Sequence, residues 1–181
     1  MSRITPIPVE QTDAATAATL RAVQAKLGAL PNMFTTFAHA PAALQGYLQL
    51  SEALAGGRLS ARQRELVAIA VAQENGCEYC LSAHAALGKG AGLQEPAIRQ
   101  AREGQAEDPL DAAILKLVLT ITRNRGGISD GDLAAARATG LDDALVVEVI
   151  SNIALNVMTN YLNRVAGTEV DFPRVTLSVA A

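Results

Sequence analysis

No stretch of this 181-residue chain alternates apolar and polar residues as a half-buried strand does, while helix start and stop signals recur along its whole length. That pattern confines the chain to an all-α fold. Thr12 and Asp13 precede an Ala-rich run that ends at Gly28, with Pro31 just beyond. Asn32 is placed to cap a short turn holding Met33, Phe34 and Phe37, which must stop before Pro41. Pro41 suits a first helical position, where a missing N–H is no loss, and that helix runs to Gly56-Gly57. Ser60 with Gln63 reads as a capping box for ARQRELVAIAVAQE, which Asn75-Gly76 stops. A new helix is expected from Cys77 to near Gly88.

The second half repeats this grammar. Asp108-Pro109 opens LDAAILKLVLTITRN and Gly126-Gly127 closes it; Ser129 caps a short helix ending at Gly140. Asp142 or Asp143 starts ALVVEVISNIALNVMTNYLNRVA, which ends at Gly167. The tail, residues 168–181, holds Asp171, Phe172 and Pro173 and reads as extended, lying across a neighbour. With no abrupt change of composition, residues 1–181 form one domain: a core at 41–92, a second helical half at 108–167, then the tail. An internal echo suggests a degenerate helical repeat. Glu65 precedes Cys77 by 12 and Cys80 by 15 positions, and Glu148 precedes Asn160 and Asn163 by the same intervals.

Composition narrows the function. Alanine fills much of the 50% apolar share and aromatics make up only 3%, so helices approach closely but each side chain buries little area. A subunit interface is therefore an expected additional source of stability. A net charge of −3 provides no basic field for nucleic acid or anionic lipid. MSRITPIPVEQ has no apolar h-region, so a cytoplasmic location is expected, and apolar runs such as LVAIAVA are too short to span a bilayer. Two close cysteines in a reducing compartment point to redox chemistry or metal binding rather than a structural staple.

The chemistry concentrates in ENGCEYCLSAH, residues 74–84. On a helix, Cys80 lies three residues after Cys77 and His84 four after Cys80, so all three share one stripe. A thiol attacks only as thiolate, which requires lowering a free-cysteine pKa of roughly 8.5. The helix N-terminus favours charge on Cys77, whereas His84 can accept the proton of Cys80. A base supplies a proton route that a dipole cannot, so Cys80 is taken as attacker and Cys77 as its resolving partner. Glu65 is followed at helical spacing by Ala68, Ile69 and Ala72, an apolar face that points its carboxylate inward, where pairing with a histidine would orient the imidazole.

Plainer readings compete. One CxxC and one His give three ligands without a fourth, so no zinc site is expected. Buried cysteines can also be inert. Glu65 could face solvent beside Arg62 or Arg64. Tyr79, between the thiols, and His39, before a proline, suit packing or capping. Asn152, Asn156, Asn160 and Asn163 form an amide ladder that suits interhelical hydrogen bonding more than substrate binding.

Glu65 followed by Cys77, Glu78, Tyr79, Cys80 and His84 resembles the signature of the alkylhydroperoxidase AhpD-like family, within the carboxymuconolactone decarboxylase superfamily. RELVAIAVAQENGCEYCLSAHAALGKGAGL, LPNMF and NYLNRVAGTEVDFP resemble its peroxidase-related branch. The resemblance implies an AhpD-like helical bundle assembling as a trimer or hexamer, and cysteine-based reduction of organic hydroperoxides; the residues themselves offer no apparent metal or flavin site. It implies attack by Cys80, resolution by Cys77, and a proton relay through Glu65 and His84. An external dithiol, lipoyl- or thioredoxin-like, would recycle the disulfide. Tyr79 stands where the best-known members carry a further relay histidine, which alters the proton path. Lactone decarboxylation, which has no need of paired thiols, and a non-catalytic redox-sensing oligomer are the competing functions.

Overall fold

The computed structural model describes residues 2–178. Helix accounts for 68% of the chain, and the described residues contain no strand. The all-α expectation holds. The helices are α1 (Ala14–Leu27), α2 (Asn32–Phe37), α3 (Pro41–Ala55), α4 (Ala61–Glu74), α5 (Glu78–Gly90), α6 (Glu95–Arg102), α7 (Pro109–Arg123), α8 (Asp130–Ala138) and α9 (Asp143–Ala166). A short 3-10 turn, Val9–Gln11, precedes them.

Helix α4 is the hub, packed against α5, α6, α7 and α9. Its residues from Leu66 to Ala72 are all buried, the mark of a helix apolar around its whole circumference. The capping box is present: Ser60 Oγ accepts from the Gln63 N–H at 3.1 Å, and Gln63 Oε1 accepts from the Ser60 N–H at 3.0 Å. Asn75 ends α4, and Gly76, at φ 64°, turns the chain so that α5 folds back along it. Asp111, buried on α7, is held by the Arg62 guanidinium and by Gln63 Nε2, which ties the start of α4 to α7. Arg62 therefore faces Asp111, and Arg64 donates to the Leu59 carbonyl at 2.5 Å.

Several local expectations need correction. Asn32 does not cap α2: Pro31 holds the N-cap position, and the Asp171 carboxylate from the tail accepts the Asn32 N–H at 2.7 Å. Cys77 is the N-cap of α5 rather than its first residue, and that helix runs through Gly88 to Gly90. Gly88 stays helical because Leu93 packs against it, donating its N–H to the Gly88 carbonyl at 2.8 Å. Helix α6 was not anticipated; its Pro96 sits in the first turn, where proline is tolerated.

The described part of the tail, residues 168–178, lies on its own chain, and residues 179–181 fall outside the described residues. Phe172 meets Tyr79 edge-on at 5.8 Å, the Val175 N–H donates to Ser82 Oγ at 3.0 Å, and Arg102 bonds the Thr176 carbonyl at 2.8 Å. The expectation that every apolar stretch is too short for a bilayer fails for α9, which is long and apolar enough by length and composition. Its place is nonetheless in the bundle, against α2, α3, α4, α5 and α7, with Asn152, Asn156, Asn160 and Asn163 buried. α9 also runs unbroken through the register at which α4 stops, so the echoed intervals sit on different backbones.

Candidate active site

The Asn75-Gly76 break places Cys77 at the head of α5, where its Sγ accepts the N–H of Cys80 at 3.2 Å. Cys77 and Cys80 are joined as a disulfide, their Cα atoms 5.3 Å apart. Both residues are almost fully covered, at 1% and 2% exposure. One turn further along α5, His84 Nδ1 pairs with Glu65 Oε2 at 2.9 Å. These two side chains are partly open, at 22% and 20%, so the carboxylate neither faces bulk solvent nor lies fully buried. Two adjacent helices, α4 and α5, thus bring Glu65, Cys77, Cys80 and His84 to one region of the bundle. Among the described residues no cluster of His, Cys, Asp and Glu has the make-up of a metal site.

A third helix reaches the pair. Asn163 on α9 donates from Nδ2 to Cys80 Sγ at 3.3 Å. Asn160 Oδ1 accepts from Asn75 Nδ2 at 3.0 Å, holding α9 against the turn that precedes Cys77. The ladder therefore divides. Asn152 and Asn156 bond back to the carbonyls of Glu148 and Asn152 on their own helix, at 2.9 and 2.8 Å, and only Asn160 and Asn163 bond between helices. Asn160 Nδ2, Asn163 Oδ1 and Thr168 Oγ1 are buried without a hydrogen-bond partner. Glu148 also differs from Glu65. It receives the N–H groups of Arg58 and Leu59, at 2.8 and 2.7 Å, and so anchors a loop.

Tyr79 lies between the cysteines in sequence but is bound elsewhere. Its hydroxyl accepts the Met33 N–H at 3.2 Å, and burial pushes its phenol far above the ordinary range. Tyr47 on α3 escaped sequence analysis. It stacks on Phe37 at 5.4 Å, and burial together with the Glu65 charge raises its phenol to about 12. No spacing rule connects Tyr47 to Glu65; only tertiary packing brings the two near each other. His39 is remote from this pair, its Nε2 donating to the Thr5 carbonyl at 2.8 Å. Beside Cys77 opens a groove of about 320 Å³, lined also by Tyr79, Asn163, Thr168, Arg164 and Arg174. Cys80, His84 and Glu65 are not among its walls.

Residues 41–124, which carry Glu65, both cysteines and His84, match the carboxymuconolactone decarboxylase family model. The fold of the whole chain is AhpD-like. An AhpD-core, uncharacterized peroxidase-related protein from Ralstonia eutropha JMP134 superposes with a TM-score of 0.85 at 23% identity, covering 94% of this chain and 92% of that one. An uncharacterized peroxidase-related protein from Silicibacter sp. TM1040 gives 0.81 at 22% identity, covering 92% of each chain. The debrominase Bmp8, in complex with 2,3,4-tribromopyrrole, gives 0.79 at 15% identity, covering 94% and 92%. No functionally curated protein matches the sequence. These likenesses show the fold, and the family match alone does not choose a chemistry.

Proposed function

We propose that this protein is a cysteine-based peroxidase that reduces organic hydroperoxides. The observation that carries the reading is the Cys77–Cys80 disulfide one helical turn from the Glu65–His84 pair. In the reduced protein the Cys80 thiolate attacks the outer peroxide oxygen. The O–O bond breaks, Cys80 becomes sulfenic acid, and the alkoxide leaves as alcohol with a proton relayed through His84, which Glu65 orients. The Cys77 thiol then attacks the sulfenic sulfur, forming the disulfide and releasing water. An external dithiol, lipoyl- or thioredoxin-like, supplies two electrons and reopens the bridge by exchange, becoming a disulfide itself.

Two features support this division of labour. Asn163 Nδ2 offers Cys80 a hydrogen bond that favours its charged form. A groove lined in part by Cys77 is the proposed approach for the reductant, so that exchange at Cys77 releases Cys80 as the thiolate that Asn163 stabilises. Tyr79, tied to Met33, serves packing rather than proton transfer. The reading carries with it a reducing, cytoplasmic setting and a homo-oligomer, with no need of cofactor or metal.

The test is steady-state hydroperoxide reduction with a panel of dithiols, run on the wild type and both single-cysteine variants. Cys80→Ser should abolish peroxide consumption, and Cys77→Ser should trap a sulfenic acid at Cys80 detectable by mass. Trapping at Cys77 instead would reverse the roles. Two free thiols persisting after stoichiometric hydroperoxide would refute the cycle, and full lactone turnover by the double serine variant would establish decarboxylase chemistry instead.

A further inference from the structure

Opening the Cys77–Cys80 bridge requires an outside nucleophile to touch one of its sulfurs. Both residues are sealed, at 1% and 2% exposure, and the groove that Cys77 helps to line does not expose it. Part of the cover must therefore move. Two of the elements against the pair are core helices: the Cys77 N–H bonds the Ala72 carbonyl of α4 at 2.9 Å, and Asn163 of α9 reaches Cys80. Moving either would break into the hydrophobic core. The remaining wall of the groove is the start of the tail: Thr168, Glu169, Val170 and Arg174.

That segment is attached in another way. Among the described residues, positions 169–178 make no backbone–backbone hydrogen bond. Val170, Phe172, Val175 and Leu177 pack against the core but are only partly buried, and every residue between them is exposed. The polar ties are isolated: the Val175 N–H to Ser82 Oγ at 3.0 Å, Arg102 to the Thr176 carbonyl at 2.8 Å, and an exposed Arg174–Glu78 pair that contributes little. Sparse burial and exposed hydrogen bonds place a segment at the low end of local stability. Its root is firm by contrast. Gly167 ends α9 at φ 62°, and the Thr168 N–H bonds the Asn163 carbonyl at 3.1 Å. The free part closes on the residue between the two cysteines. Phe172 meets the Tyr79 ring edge-on, and the Asp171 carboxylate, which accepts the Asn32 N–H at 2.7 Å, acts on the Tyr79 phenol.

We infer that residues 169–178 are a strap hinged at Thr168 that gates access to the Cys77–Cys80 bridge, with Asp171 and Phe172 as its clasp. Closed, it seals the bridge; released, it removes the outer wall of the groove and uncovers Cys77. The inference rests on the burial of the bridge and on how the strap is held. It does not depend on which oxidant formed the disulfide, so it stands or falls apart from the peroxidase reading.

Reduction of the oxidised full-length protein by a water-soluble trialkylphosphine tests it. The phosphine takes oxygen from water to become its oxide and leaves two thiols, which a chromogenic thiol reagent counts. At low phosphine the rate should be proportional to the fraction of open strap. Phe172→Ala loses the edge-on contact and a half-buried ring, and should raise that rate roughly tenfold. Asp171→Ala loses a cap-type hydrogen bond and should raise it about threefold. Hydrogen exchange separates strap opening from global unfolding: the Val175 amide should speed up by the same factor as reduction, while Val67, Ile69 and Val71 in α4 keep wild-type protection. Unchanged reduction rates in the two folded variants would overturn the inference, because the sulfurs would then be reached by another route. An equal rise in α4 exchange would overturn it too, because the bridge would then open only with the whole fold.

Discussion

Asn163→Leu removes the amide that reaches Cys80 while keeping the branched shape of the side chain, and it also deletes Asn163 Oδ1, an atom buried without a partner. The fold should therefore lose little, and the effect should fall on the thiol. A hydrogen bond to a charged acceptor contributes about 1.5–3 kcal/mol, and 3.3 Å to sulfur belongs at the low end of that range. About 1.4 kcal/mol corresponds to one pKa unit, so the Cys80 thiol of the reduced variant should titrate roughly one unit higher than in the wild type. Below the thiol pKa this lowers the thiolate fraction about tenfold. A more basic thiolate is a better nucleophile, with a Brønsted slope of about 0.4–0.5, which returns roughly threefold. The variant should consequently consume a stoichiometric hydroperoxide about three- to fourfold more slowly below the pKa. Well above it, where both proteins are fully ionised, the variant should be about threefold faster. Single-turnover stopped flow across the titration range, with the thiolate followed by its ultraviolet absorbance, reads both limbs. An unchanged thiol titration in a folded variant would refute the reasoning, and so would a rate loss of equal size at every pH.

Three other outcomes are expected. His84→Ala should slow the peroxide step about a hundredfold, with partial rescue by added imidazole, and Glu65→Gln should cost less because the imidazole remains; wild-type rates in His84→Ala would remove the relay. Tyr47, raised to about 12, binds its proton more tightly folded than unfolded, so its contribution to stability is complete below pH 10 and is lost between about pH 10 and 12. Its share is no more than about 2–3 kcal/mol for a side chain whose edge is partly exposed; Tyr47→Phe should flatten the alkaline limb of a denaturation series, and an unaltered limb would contradict this. Gly76→Ala forces a side chain into φ 64° and should cost about 1 kcal/mol, lowering Tm by roughly 2–4 °C in calorimetry; an unchanged Tm would show that the turn relaxes freely.

Much of the helical plan was legible before any coordinates, because local chemistry sets it. Ser60 with Gln63 announces the start of α4, and Asn75-Gly76 announces its end. Positions whose structure depends on a distant partner were misread. Gly88 has the chemistry of a helix stop, but Leu93 packing against it keeps it helical. Asn32 has the chemistry of a cap, but Asp171, far along the chain, takes that role for α2. In the candidate site, the spacing of Cys77, Cys80 and His84 could be read because it lies within one helix. Tyr47 beside Glu65, and Asn163 on Cys80, could not be singled out, since each depends on how separate helices pack.

The sequence by itself determined an all-helical chain with a dithiol at a helix head and an imidazole one turn away. Capping, helical spacing and backbone stereochemistry act over a few residues and so are written locally. Tertiary structure alone decided that Glu65 faces His84, that α9 delivers an amide to Cys80, and that the tail closes over its own bundle. Those pairings join residues tens of positions apart. They are chosen by which apolar faces bury one another, and no local pattern encodes that choice.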